Sequence, residues 1–469
     1  MKIWIIIILL LTIASTEKGQ TQDRNHVFNK ITEFVETERN AYNIPGIVVG
    51  ITNADRIIYL QNFGSGEIND LYLIGSNSKS FTALAILILQ KNGLLDINEP
   101  VVKYISWFRY HDANLSNNVT VKDLLNHTSG IPRKLGMYEP LHNTEIQKYY
   151  SDLLNQVSPE NSDMGKYEYS NLNYQLLGLI IEKISNKKYS DYLKGEILEP
   201  LNLNETFATQ KESKQYGLKT SYQYLLYFPF LQKSINNNDY TVPSGFIWST
   251  AENMCHYLRA LMKSSDSTEK LNIDQNITEQ LFKPRTDIGS VYGMGWEIRK
   301  WKEYERFKHD GLTQSFSSSM LILPELEIGI IIMSNINNSP STIEMADGIL
   351  RILTDKESIR YSKTSFYLRN SLPLFAFWVL IVLFFRVKQW IKLKFPIGIN
   401  KSILSNIWLV LGVAFGLSWV IYFPIAFKTP LFAIIDYEPN SGYSLIILTI
   451  GIIFNSLIGY FNKTRKHFT

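Results

Sequence analysis

The stretch LYLIGSNSKSFTALAILILQKNG, Leu71 to Gly93, decides how the chain is read. It is an apolar helix whose mouth is crowded with Ser76, Asn77, Ser78, Lys79 and Ser80. Residues three apart share a helix face, so Ser76 and Lys79 are expected side by side. The first turn of a helix carries unpaired N–H groups and the positive end of the dipole. A lysine there costs a few tenths of a kcal/mol to ~1 kcal/mol. The same field, joined by burial, destabilises the ammonium and favours the neutral amine. A neutral amine beside a hydroxyl is a nucleophile with its base. Backbone N–H groups, that of Ser76 among them, would hold the developing oxyanion. The four-residue pattern alone also fits a capping serine with a surface lysine, so the reading needs partners elsewhere.

Two follow in order. In YEYSNLNYQLLGLIIEK, Tyr169, Ser170 and Asn171 precede an apolar helix. In RFKHDGLTQSFSSSMLILPE, His309, Asp310 and Gly311 begin a strand. With these motifs the chain resembles the serine β-lactamase and penicillin-binding-protein superfamily, most closely its class C β-lactamase, esterase and D-aminopeptidase branch. That branch is marked by S-x-x-K, then Y-x-N, then K-T-G or H-x-G. The resemblance extends through LLNHTSGIP (Leu124–Pro132), PSGFIWSTAENMCHYLRALM (Pro243–Met262) and YGMGW (Tyr292–Trp296), and covers roughly residues 25–355.

The resemblance implies a nucleophilic Ser76 sharing its proton with Lys79, and Tyr169 as a second proton-transfer group, a phenolate favoured by Lys79. It implies that Asn171 binds Lys79 or the substrate amide. His309 would steer a carboxylate or polar end of the substrate. Gly311 would let the substrate lie along the strand, and the N–H of Leu312 would complete the oxyanion hole. Asp310 either faces the cleft or, since strand neighbours alternate faces, points away. His127 reads as a structural histidine beside a turn, Cys255 and His256 as core, and Tyr292 and Trp296 as packing residues near the cleft. No metal-ligand spacing, phosphate loop or internal repeat is present, so neither a metal nor a cofactor is expected.

Strand patterns flank these motifs. Ile44–Asn53 and Arg56–Gly64 form one pair, with a turn at Ala54 and Asp55; Met320–Asn335 forms another, with a turn at Pro324 and Glu325. Helical patterns lie between, among them VTVKDLLNHTSG and NYQLLGLIIEKISN. The expected fold is α+β: an antiparallel sheet, its edges drawn from the two chain ends, flanked by helices and a helical lobe.

Beyond about residue 365 the character changes. Ser371–Phe385, Ile403–Phe427 and Tyr443–Phe461 are apolar runs without charge, long enough with their flanks to span a bilayer. The connection after the first holds Arg386, Lys388, Lys392, Lys394 and Lys401, and the tail holds Lys463, Arg465 and Lys466. Positive loops stay in the cytoplasm. The order is therefore out, in, out, in, with the main domain outside the inner membrane and the C-terminus cytoplasmic. Met1, Lys2 and the apolar run Ile3–Ala14 read as a signal peptide or N-terminal anchor over residues 1–20, which agrees. The expected divisions are thus 1–20, the hydrolase domain 25–355, a linker 356–370, three spans within 371–461, and the tail 462–469.

The 469 residues are 45% hydrophobic with a formal charge of +4, which does not suggest a nucleic-acid binder. One cysteine, Cys255, excludes an internal disulfide and a cysteine-rich zinc site. The expected partners are the bilayer and a small peptide-like or ester substrate. The superfamily's substrates are D-amino-acid peptides, β-lactams and esters, and the three motifs do not choose among them. The layout resembles the membrane peptidases that mature peptide–polyketide prodrugs, of the colibactin type; some wall enzymes of the penicillin-binding kind share it. A non-catalytic ligand sensor and a membrane immunity protein or transporter are the readings from other classes. Spans without buried charge argue against transport.

Overall fold

The computed structural model describes residues 25–140, 144–158, 164–217, 220–232, 238–263, 273–284, 289–355, 357, 361–392 and 403–463. The expected leader, the basic connection 393–402 and the tail from residue 464 lie outside these residues.

Six strands form the main sheet: β1 (Gly46–Thr52), β2 (Ile57–Gly64), β3 (Glu297–Trp301), β4 (Tyr304–Leu312), β5 (Ser317–Leu323) and β6 (Ile328–Ser334). All pairings are antiparallel, in the order β2-β1-β6-β5-β4-β3. The chain ends therefore do not supply both edges. The last strand, β6, lies inside beside β1, with Ile47 opposite Ser334, because the β3–β4–β5 meander extends the sheet beyond it.

Successive strand residues face opposite sides, and here both sides are covered. Val48, Ile331 and Met333 face the helical lobe, whereas Ile47, Val49, Ile51, Ile330 and Ile332 face a second core. That second core is closed by helix α1 (residues 25–41) through Ile31 and Val35, and by α5 (Ser339–Asp355) through Met345 and Ile349. The helical lobe holds α2 (Ser78–Lys91), α3 (Asn171–Ser185) and α4 (Ala251–Met262). Cys255 on α4 is buried against Gly50, where a Cβ would lie 2.4 Å from its sulfur. His256 is not core: its ring stands at the edge, 3.9 Å from Glu252. The helix expected around Val119–Gly130 is confined to Val121–Leu125, closed by the Thr120–Asp123 capping box. His127 then takes a left-handed φ of 58°, which ends it.

Three helices are long and apolar enough to cross a membrane: α6 (Thr364–Lys392), α7 (Ile403–Ala426) and α9 (Pro439–Lys463), with the short α8 (Leu431–Tyr437) between the last two. Helix α6 starts at Thr364, inside the stretch expected to be a linker. The reason is Phe366, whose ring packs edge-on to Tyr42 and Tyr224 in the second core. Polar bonds add to this seam. Asn440 donates to the Leu226 carbonyl at 3.0 Å and to Asn370 Oδ1 at 2.7 Å, and accepts from Leu226 N–H at 3.0 Å. Asn337 donates to the Tyr437 carbonyl at 2.6 Å, and Arg369 pairs with Glu438 at 2.8 Å. The C-terminal apolar helices are thus docked onto the domain that holds the main sheet.

Candidate active site

Ser76 sits not in the first α-helical turn but on a 3-10 turn, Gly75–Asn77, that leads into α2. Gly75 has φ 54°, and a Cβ on it would lie 2.4 Å from Leu312 N; a Cβ on Gly311 would lie 2.0 Å from the Ile74 carbonyl. Both positions require glycine, and their contact presses the turn onto the end of β4. This brings Ser76 beside the Leu312 N–H. The other polar residues of the mouth secure the turn. Ser78 Oγ donates to the Gly75 carbonyl at 2.7 Å and accepts from Ile247 N–H at 3.1 Å. Ser80 Oγ donates to the Asn77 carbonyl at 2.8 Å, Asn77 Nδ2 donates to Ser318 Oγ at 2.9 Å, and Ser318 Oγ donates to the Ile74 carbonyl at 2.8 Å.

Lys79 is fully buried, and burial, then the Arg133 charge, hold its amine well below the ordinary lysine value. Its Nζ lies 3.0 Å from Ser76 Oγ, 2.8 Å from Asn171 Oδ1 and 2.5 Å from the Ser244 carbonyl. A neutral amine has two N–H bonds. In the neutral form that burial favours, Asn171 Oδ1 and the Ser244 carbonyl, which can only accept, take both, and the lone pair then faces the Ser76 hydroxyl. Asn171 thus engages Lys79. The Ser244 carbonyl was not singled out in the sequence, although PSGFIWST carried part of the resemblance.

Tyr169 lines the cavity beside Ser76, whose hydroxyl acts to lower the phenol's pKa, and its ring centroid lies 4.8 Å from Lys79 Nζ. Burial pushes the phenol up, so it is protonated. The phenolate expected from the sequence is disfavoured, because burial of the ring outweighs the lowering by the Ser76 hydroxyl and the Arg133 charge. His127 packs 4.4 Å from the Tyr169 ring, centroid to centroid, and its Nδ1 accepts from Ser170 N–H at 3.3 Å and from Asn173 Nδ2 at 3.0 Å. It is a buried structural histidine that holds the Tyr169–Asn171 segment.

His309 departs from its expected role. Its Nδ1 is 2.8 Å from the Asp310 carbonyl, so it donates there, and Nε2 then accepts from the Tyr292 hydroxyl at 3.0 Å. Burial, then Lys79, hold its pKa down to about 3. A neutral imidazole with both nitrogens engaged does not steer a carboxylate. Asp310 points away from the cleft: it accepts from Ser319 Oγ at 2.7 Å and faces Lys308 at 3.7 Å, which in turn reaches Asp347 on α5 at 3.5 Å. Tyr292 and Trp296 are buried, Tyr292 behind the site and Trp296 against Phe282.

Ser76, Tyr169, Asn171 and Leu312 open into a cavity of about 710 Å³. Arg133 lines it too, a residue the sequence reading passed over. Its far wall is mostly apolar and comes from the C-terminal helices, with Leu372 of α6, Phe423 of α7, Ala433 and Ile434 of α8 and Leu445 of α9; Arg369 and Glu438 also line it. A second cavity of about 580 Å³, lined by Glu182, Lys188 and Asp239 among others, contains none of these groups. Among the described residues no group of His, Cys, Asp or Glu could hold a metal ion.

The Beta-lactamase family matches residues 29–354. The chain is 26% identical to Protein flp of Staphylococcus aureus (strain MRSA252) over 84% of this chain and 81% of that protein. It spans 66% of the same-named protein of strain N315. It is also 26% identical to penicillin-binding protein 4* of Bacillus subtilis (strain 168), over 64% of this chain and 70% of that one. The fold matches an octameric penicillin-binding protein homologue from Pyrococcus abyssi (TM-score 0.61, 23% identity, 74% of this chain, 81% of the other). It likewise matches a class C β-lactamase from Rhodobacter sphaeroides (TM-score 0.59, 19% identity, 70% of this chain, all of the other). A D-stereospecific amidohydrolase from Streptomyces sp. gives a TM-score of 0.56 at 21% identity, over 67% of this chain and 96% of that one. The chain belongs to the Beta-lactamase family, within the β-lactamase and penicillin-binding-protein superfamily of serine hydrolases.

Proposed function

We propose that the chain is a membrane-anchored serine hydrolase that cleaves amide or ester bonds through an acyl-enzyme, as a peptidase on D-amino-acid-containing peptides. The observation that carries this is the placement of Ser76 Oγ 3.0 Å from the Nζ of a fully buried Lys79, with the Tyr169 phenol on the same cavity wall; burial favours the neutral amine and the protonated phenol. Ser76 gives its proton to Lys79 as its oxygen bonds the substrate carbonyl carbon. The N–H groups of Ser76 and Leu312 hold the oxyanion; one such donor is worth about 2.7–4 kcal/mol. As the intermediate collapses, the leaving amine or alcohol takes the Tyr169 proton, and the Lys79 ammonium restores it. Water then repeats the cycle on the acyl-enzyme and releases the acid.

The D-stereospecific amidohydrolase and penicillin-binding relatives support the peptide reading. The apolar wall supports a substrate with a lipophilic part that reaches the site at the bilayer surface. The edge of the hydrolase domain beside α9 supports it too: the hairpin Ser221–Gln232 exposes Leu225, Phe228, Phe230 and Leu231. The basic loops support an extracytoplasmic side for this domain. An esterase or penicillin-binding wall enzyme is the second reading, and the same serine would serve it. The test is hydrolysis of paired D- and L-alanyl peptide amides by the full chain and by Ser76→Ala. Turnover of the D series that vanishes in the variant is expected; equal turnover by the variant would contradict the assignment.

A further inference from the structure

Three charged residues that the serine chemistry does not use line the cavity, Arg133, Arg369 and Glu438, and the last two pair with each other at 2.8 Å. Arg133 opens the 3-10 turn Arg133–Met137 and lines the cavity with Ser76, Tyr169 and Asn171. Its position is set by the backbone. The Arg133 N–H donates to Glu168 Oε1 at 2.9 Å, and Gly136 packs so closely on α3 that a Cβ would lie 2.4 Å from Asn171 N. The guanidinium stands 5.9 Å from the Tyr169 ring centroid. Its Nε is buried and has no hydrogen-bond partner. Among the described residues no carboxylate lies within ion-pair distance of it.

Burial works against the charged form of the other basic groups around the serine. Lys79, His127 and His309 are all held low, each first by burial. Arg369, at the membrane end, is tied to Glu438. A substrate approaching Ser76 therefore meets a guanidinium that has no carboxylate partner among the described residues and whose Nε is unsatisfied, and a fork with five donors matches a carboxylate. Arg133 stands beside Tyr169, whose proton goes to the leaving group.

We propose that Arg133 selects substrates whose leaving group carries a carboxylate, a role the sequence had given to His309. This rests on the serine-hydrolase reading above. The expected leaving group is then an amino acid or hydroxy acid released with its acid end free.

The test uses the phenyl and 3-carboxyphenyl esters of N-acetyl-D-alanine, which share an acyl group and differ by one carboxylate. The full chain should favour the carboxylated ester by about tenfold or more in kcat/KM, the size of a charge-assisted hydrogen bond. The preference should appear in KM and shrink as salt rises. Arg133→Gln should bring the ratio of the two esters to near unity, and Arg133→Lys should restore part of it. Because both esters are read on the same protein, partial misfolding does not move the ratio. A full chain that turns over both esters equally, or an unchanged ratio in Arg133→Gln, overturns the proposal alone. If neither ester is turned over in a Ser76-dependent way, the hydrolase reading falls and takes the proposal with it.

Discussion

The two ends of the cavity are built in opposite ways. At the reaction end every group comes from the hydrolase domain, is polar, and is held by partners named above: Lys79 by three oxygens, the Gly75–Asn77 turn by two serines and an asparagine. At the other end the wall is mostly apolar, comes from residues 368–445, and owes its position to the docking of one domain on another. A chemical end is specific to atoms; an apolar end is specific to volume. Disturbing the first should therefore affect all substrates, and disturbing the second only those with an apolar extension.

The largest separation comes from Ser76→Ala. It should lower kcat by roughly 10⁴-fold or more on every substrate and leave the thermal unfolding curve unmoved. Gly311→Ala comes next. Its methyl carbon would lie 2.0 Å from the Ile74 carbonyl and 2.3 Å from Ser318 Oγ. The strand must shift, at an overpacking cost of about 1–3 kcal/mol. The Leu312 N–H shifts with it, so the melting temperature and turnover should fall together.

The pH profile tests the reaction end without mutation. Lys79 is depressed below the ordinary 10.5 in the folded chain. Between the folded and unfolded values the unfolded chain holds a proton that the folded one lacks, so this group makes stability rise with pH across that window. Turnover needs the neutral amine. It should hold at pH values where an ordinary lysine is charged, then fall about tenfold per unit below the folded pKa. Arg133→Gln removes a nearby cation and should move this limb to higher pH.

At the membrane end Phe423→Ala should reduce kcat/KM for a substrate bearing a long acyl chain by about tenfold, the scale of one buried aromatic's apolar contacts. It should leave a short-chain analogue unaffected. A loss on both would erase the distinction between the two ends. The smallest effect belongs to Lys428→Ala. The side chain is 61% exposed at 3.5 Å from Glu168, and its loss should change stability by less than about 1 kcal/mol.

The same contrast explains what could be read from the chain. Ser76, Lys79, Tyr169 and Asn171 were legible because short motifs fix them on a helix start, and the structure brings them together. The strand pairs were legible from their alternation and turns. The sheet order was not, since nothing local says that β6 lies beside β1 and not at an edge. The roles given to Tyr169 as a phenolate and to His309 as a guide failed for one reason. Both depend on burial, which no motif states. Arg133 and the mostly apolar wall escaped because only the fold brings them into one cavity with Ser76 and Tyr169.

The most direct measurement is covalent. The full chain in detergent is treated with a fluorophosphonate, digested, and the labelled peptide is mapped. The adduct should fall on Ser76, form more slowly as the pH drops below the Lys79 pKa, and be absent in Ser76→Ala. Labelling that persists in that variant, or maps to another residue, would contradict the account.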